Sequence, residues 1–197
     1  IVFMELTLWA RNALAVNLES SLLHKFVVNI LSLDTQERYN SFISLIAFWS
    51  FPPINTLSGF SKSLIAENKL NKFIDEVSNK NKLSFNNIAL VGFSQGCMIA
   101  LQTALKKKDQ IKCVIGYSGK ILNIKHLNKN INSKPEIFLM HGDSDSVVPA
   151  NFLLEAKEFF NKNHYKIQTK IFKNCEHRIP TEGSSIGLEF LKKNLYK

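Results

Sequence analysis

The pentapeptide Gly92-Phe93-Ser94-Gln95-Gly96 constrains this chain more than any other stretch. An apolar run, Ile88-Ala89-Leu90-Val91, leads into it, and a helix-like run, Met98-Ile99-Ala100-Leu101, leads out. G-x-S-x-G between a buried strand and a helix is the setting of a nucleophile elbow, a sharp turn that holds the serine in strained backbone geometry and lifts its hydroxyl clear. Glycines on either side fit that reading, because side chains there would collide with the strand or the helix. The N–H of Gln95, at the helix start, faces the same space as the Ser94 hydroxyl. Ser94 is therefore a candidate nucleophile and the Gln95 N–H a candidate oxyanion donor.

Two later segments supply partners. Ile137-Phe138-Leu139-Met140 reads as a short strand running into His141-Gly142-Asp143-Ser144-Asp145, a polar turn with two acids. Ile167 to Phe172 reads as another strand, followed by Asn174-Cys175-Glu176-His177. The order is Ser, Asp, His, each at the carboxyl end of a strand, where parallel sheets assemble their sites. Taken singly, each acid could cap a helix or brace its own turn, and His177 could be an ordinary loop histidine.

These motifs, with Gly116-Tyr117-Ser118-Gly119, Val148-Pro149 and Gly187-Leu188-Glu189-Phe190-Leu191, resemble the phospholipase/carboxylesterase family of the α/β-hydrolases, which includes the acyl-protein thioesterases. The similarity runs from about residue 48 to residue 197. It implies an α/β-hydrolase fold, a mostly parallel sheet with helices on both faces. It also implies a Ser94, His177, Asp145 triad, in which Asp145, not Asp143, takes the acid's place. His141 and Asp143 then serve as second-rank and turn-forming residues, Tyr117 and Ser118 pack behind the site, and Trp49 and Phe51 are candidates for an acyl pocket or for the core. The implied function is a serine hydrolase of carboxylic esters or thioesters, working through an acyl-enzyme.

The first quarter departs from that pattern. Ile1-Val2-Phe3-Met4 could end a first strand, but no His-Gly follows and no glycine precedes Gly59. The family's His-Gly loop supplies the second oxyanion donor, so the resemblance also admits an impaired or inactive remnant, or a binding module. Residues 5 to about 47 read either as a shifted reading frame or relic, degrading the N-terminal part of the sheet, or as a divergent cap. The first residue is Ile1, not Met, so the true N-terminus is expected to lie elsewhere.

Length fits one domain, 1–197, with 1–47 anomalous. Alternation of strand-like and helix-like segments argues for an α/β fold with a parallel sheet. Helices are expected over Ser61–Lys80, from the elbow to about Lys107, over Ala150–Asn163 and over Thr181–Leu195. Strands are expected at Ile111–Ile115, Ile137–Met140 and Ile167–Phe172, with residues 117–134 as loop and a short helix. The net charge is +9, but the lysines are scattered. Lys106-Lys107-Lys108 and Lys192-Lys193 fall near helix ends, where cations complement the dipole, and read as solvated faces. No nucleic-acid partner is expected. A weak contact with anionic lipid is compatible with the charge, whereas the apolar run from Phe42 to Ile54 is too short to span a membrane. The three cysteines, Cys97, Cys113 and Cys175, suit neither a disulfide framework nor a zinc site. Cys97 reads as a small buried apolar residue and Cys175 as a lesser candidate for a reactive thiol. No metal and no cofactor are expected, and the location expected is a reducing cytoplasm.

Overall fold

The computed structural model describes residues 27–30, 43–49 and 57–195, with side chains from Ser63 onward. Six strands form one sheet in sequential order: β1 (Val27–Ile30), β2 (Ile43–Trp49), β3 (Ile88–Ser94), β4 (Cys113–Tyr117), β5 (Glu136–Gly142) and β6 (Gln168–Phe172). β1 is antiparallel to β2, and every later pair is parallel. The helices are α1 (Leu57–Asn81), α2 (Gln95–Lys106), the short α3 (Ile124–Asn128), α4 (Asn151–Lys162) and α5 (Thr181–Leu195). The expected α/β architecture with a mostly parallel sheet is the one observed.

The strands step in one direction across the sheet, and right-handed crossovers then put the connecting helices on one face. Alternate residues of each strand serve the two sides. Ile88 and Leu90 of β3, Val114 of β4 and Ile137 and Leu139 of β5 pack with Ala66, Leu70, Ile74 and Val77 of α1, with α2, and with Leu153, Ala156, Phe159 and Phe160 of α4. Ala89, Val91, Cys113, Ile115, Phe138 and Met140 point the other way, onto Phe190, Leu191 and Leu195 of α5. Helix α2 is buried from Gly96 to Leu105, mostly apolar or small residues with Gln102 and Thr103 as its buried polar members. Each large side chain taken from water here contributes about 1.5 to 3 kcal/mol.

α5 has the bounds expected, and the others differ at their ends. β4 begins at Cys113, two residues later than Ile111, and continues through Gly116 and Tyr117. Glycine fills position 116 of the strand because a β-carbon there would run into the Cys97 thiol. α1 starts four residues before Ser61. The short helix within 117–134 is α3, capped by the Asn123 side chain, which accepts from the His126 N–H at 3.1 Å.

The basic run is not a solvated face. Lys106 pairs with Glu67 at 2.6 Å and Lys107 with Asp75 at 2.7 Å, both acids on α1. Glu67 is itself buried and also accepts from the Gln102 side chain at 2.6 Å. Only Lys108 of the three is exposed. The strand expected at Ile1–Met4, the segment 5–26 and the side chains of Trp49 and Phe51 lie outside the described residues. Among the described residues no helix is long and apolar enough to cross a membrane.

Candidate active site

Ser94 ends β3 and caps α2 with φ 54° and ψ −120°, a conformation non-glycine residues avoid. The chain doubles back so closely that a β-carbon on Gly92 would stand 2.5 Å from the backbone of Gly96 and Cys97. Glycine at 92 is thus a steric requirement of the turn. Gln95 is the first residue of α2, and its N–H belongs to the helix turn that no carbonyl four residues back within the helix can serve.

Asp145 follows β5, and His177 lies between β6 and α5. The two loops are stitched together by backbone: Asp143 N–H donates to the Phe172 carbonyl at 3.0 Å and Ser144 N–H to the Cys175 carbonyl at 3.1 Å. Gly142 sits so close under the Cys175 carbonyl that a side chain there would overlap it. The Asp143 carboxylate accepts from the Ser144 hydroxyl at 2.8 Å and from the Cys175 N–H at 3.4 Å. Asp143 is therefore a turn-former, its pKa lowered first by the Ser144 hydroxyl.

Asp145 is the acid that meets the histidine. His177 Nδ1 lies 2.8 Å from Asp145 Oδ2, and His177 Nε2 lies 3.0 Å from Ser94 Oγ. A carboxylate only accepts, so the Nδ1 proton points at Asp145 and leaves Nε2 bare toward the serine. The other oxygen, Asp145 Oδ1, accepts the N–H groups of Val147 at 3.0 Å and Val148 at 2.8 Å. Burial pushes the Asp145 pKa up, but the Val148 N–H and His177 more than offset it and the carboxyl titrates below its ordinary range. His141, also buried, donates from Nε2 to the Val148 carbonyl at 2.7 Å and stands 3.4 Å from Asp145 Oδ2. It thereby braces the loop whose N–H groups hold the acid.

All three expected side chains, Ser94, Asp145 and His177, come together. The sequence reading passed over Phe93, whose ring packs on the imidazole of His177 with centroids 4.7 Å apart. Its place one residue before the serine on the same turn is the only signal of that contact. Tyr117 packs among the α5-side core, donating to the Gly183 carbonyl at 3.0 Å. Cys97 is buried against Gly116 and Gly119, and burial lifts its thiol to about 12. Cys175 is 2% exposed, which sets aside the reactive-thiol expectation. Val147, 65% exposed, is an apolar residue two positions beyond the acid. Among the described residues no cluster of three or more His, Cys, Asp or Glu could hold a metal.

A serine hydroxyl, an imidazole free at Nε2 and a buried carboxylate in this order can activate an oxygen nucleophile. The profile of the Phospholipase/Carboxylesterase family matches residues 57–195. Acyl-protein thioesterase 1 of Saccharomyces cerevisiae is 33% identical over 153 residues, covering 74% of this chain and 64% of the yeast protein. The protein of the same name from Kluyveromyces lactis is 28% identical over 64% of this chain and 58% of its own length. Among solved structures, esterase PE8 superposes with a TM-score of 0.65 at 32% identity, over 68% of this chain and 62% of that one. SOBER1 of Arabidopsis thaliana superposes at 0.63 with 20% identity, over 68% and 65%, a likeness of fold. The chain thus spans about three fifths of the length of the relatives it matches.

Proposed function

Because this chain belongs to the phospholipase/carboxylesterase family, we propose that it is a serine hydrolase that cleaves carboxylic ester or thioester bonds. The observation that carries the reading is the unbroken line from Asp145 Oδ2 through His177 to Ser94 Oγ, with contacts of 2.8 and 3.0 Å. The relatives add weight, since two are named acyl-protein thioesterases and one an esterase.

In the first half-reaction Ser94 Oγ attacks the acyl carbonyl while His177 Nε2 takes its proton. Asp145 holds the imidazole in the Nδ1–H tautomer and stabilises the imidazolium. The Gln95 N–H donates to the tetrahedral oxyanion. The proton on Nε2 then passes to the departing alkoxide or thiolate, leaving an acyl-Ser94 and the free alcohol or thiol. In the second half a water gives a proton to His177 Nε2 as its oxygen attacks the acyl-Ser94 carbonyl, and that proton then passes to Ser94 Oγ as the ester bond breaks and the carboxylic acid leaves. The strained φ of Ser94 is consistent with this, because strain of this kind gathers where the chemistry needs it. Three cysteines without a disulfide agree with a reducing, cytoplasmic location.

The test is hydrolysis of a panel of p-nitrophenyl esters and acyl thioesters of graded chain length by the full chain. Turnover of at least one class is expected, with Ser94→Ala lowering kcat by about 10⁴-fold or more. Equal turnover by wild type and Ser94→Ala would overturn the assignment.

A further inference from the structure

His177 stands on a loop, between the exposed residues Glu176 and Arg178, and its own side chain is 18% exposed. Three groups hold its imidazole. Asp145 Oδ2 lies 2.8 Å from Nδ1 and Ser94 Oγ lies 3.0 Å from Nε2. The third is the ring of Phe93, its centroid 4.7 Å from that of the imidazole and its plane tilted by 42°. Favourable aromatic pairs fall in this range of separation.

Phe93 is a firm support. Its backbone lies in β3 between β2 and β4, in register with Phe48 and Tyr117. Its side chain is half-buried and packs against the core on the α5 side as well as on His177. A side chain set on a central strand places its neighbour more closely than one set on a loop.

The three contacts do not survive the reaction equally. In the resting site the Ser94 hydroxyl donates to Nε2. Once Ser94 is acylated, its Oγ is an ester oxygen with no proton. The leaving group has meanwhile taken the proton from Nε2, so two acceptors face each other and repel. The serine contact is thus lost while His177 waits for water. Asp145 grips one end of the imidazole only. The Phe93 contact involves no proton, and acylation leaves it in place.

We propose that Phe93 is a positioning residue that holds the His177 imidazole in the acyl-enzyme, so that its ring serves deacylation more than acylation. This rests on the reading of Ser94, His177 and Asp145 as a triad. A residue needed only for bulk at position 93 would weigh on both half-reactions alike and would not need an aromatic ring.

The test follows acyl-Ser94 by quenched-flow mass spectrometry in the full chain, using the p-nitrophenyl ester that wild type turns over best. Wild type, Phe93→Leu and Phe93→Tyr are compared, with Phe93→Met in place of Phe93→Leu if that variant does not fold. In Phe93→Leu the decay of acyl-Ser94 should slow about fivefold, the worth of an aromatic pair expressed as a rate, while its formation stays within twofold of wild type. Phe93→Tyr, which keeps the ring, should stay within twofold in both steps. A second measurement needs no turnover. In Ser94→Ala, which lacks the serine contact throughout, adding Phe93→Leu should broaden the low-field proton resonance of His177 Nδ1–H, and adding Phe93→Tyr should leave it sharp. Equal slowing of formation and decay, a Phe93→Tyr as slow as Phe93→Leu, or a resonance indifferent to residue 93 would each overturn the proposal. A wild type that forms no acyl-Ser94 would overturn the triad reading as well, which separates the two failures.

Discussion

At the scale of the residue, Asp145 shows how a buried acid is kept charged. Desolvation works against ionisation, and two backbone N–H groups and an imidazole work for it and win. The sign for stability follows. A carboxyl whose pKa is depressed on folding contributes stability that is fully present above its unfolded value of about 3.9 and is lost as pH falls through its folded value. The thermal midpoint of the wild type should therefore drop as pH goes below about 4. Asp145→Asn should start lower at neutral pH and show a flatter acid limb, so the two curves converge. Parallel curves would show that the hydrogen bonds to Asp145 do not depend on its charge. The meeting of the Ser94, Asp145 and His177 side chains was readable from their order and from strand ends. Phe93 was not assigned its contact, because what matters about it is a tilted ring contact with His177 across 84 residues of chain.

Between elements, the contact of α1 with α2 carries a buried polar group inside an apolar interface. Glu67 is held by Gln102 and Lys106, on a helix whose Ala66 and Leu70 belong to the apolar core. Removing one partner of such a set leaves the others unpaired, which costs about 3 kcal/mol. Glu67→Ala should show that loss in urea unfolding, whereas replacing Glu67, Gln102 and Lys106 together by apolar residues of similar size should recover most of it. A loss under about 1 kcal/mol for Glu67→Ala would mean the network is solvated. The sequence misled here for a physical reason. Spacing along a helix reports which residues share a face, and Lys106 and Lys107 do stand at a helix end, but their acids lie 39 and 32 positions upstream on another helix. Local pattern holds no trace of that pairing.

For the whole molecule, the alternation of strand and helix after residue 57 made the doubly covered sheet readable. Apolar runs at Ile88–Val91 and Ile137–Met140 are what a strand buried on both faces requires. Strand β2 escaped notice because Ile43–Trp49, before Pro52-Pro53, is apolar at every position but Ser44, and a nearly unbroken apolar run has no period to separate strand from buried helix. Its register brings Trp49 beside Ser94, so the edge of the candidate site begins there. The sheet, the two stitched loops and the elbow together account for the meeting of three side chains from distant parts of the chain. The claim that this meeting makes Ser94 an activated nucleophile is tested most directly by labelling the folded full chain with a fluorophosphonate probe, alongside Ser94→Ala and His177→Ala. The account predicts stoichiometric labelling of wild type at Ser94, none in Ser94→Ala, and labelling slowed at least about a hundredfold in His177→Ala. A folded wild type that stays unlabelled, or that labels as fast without His177, would contradict it.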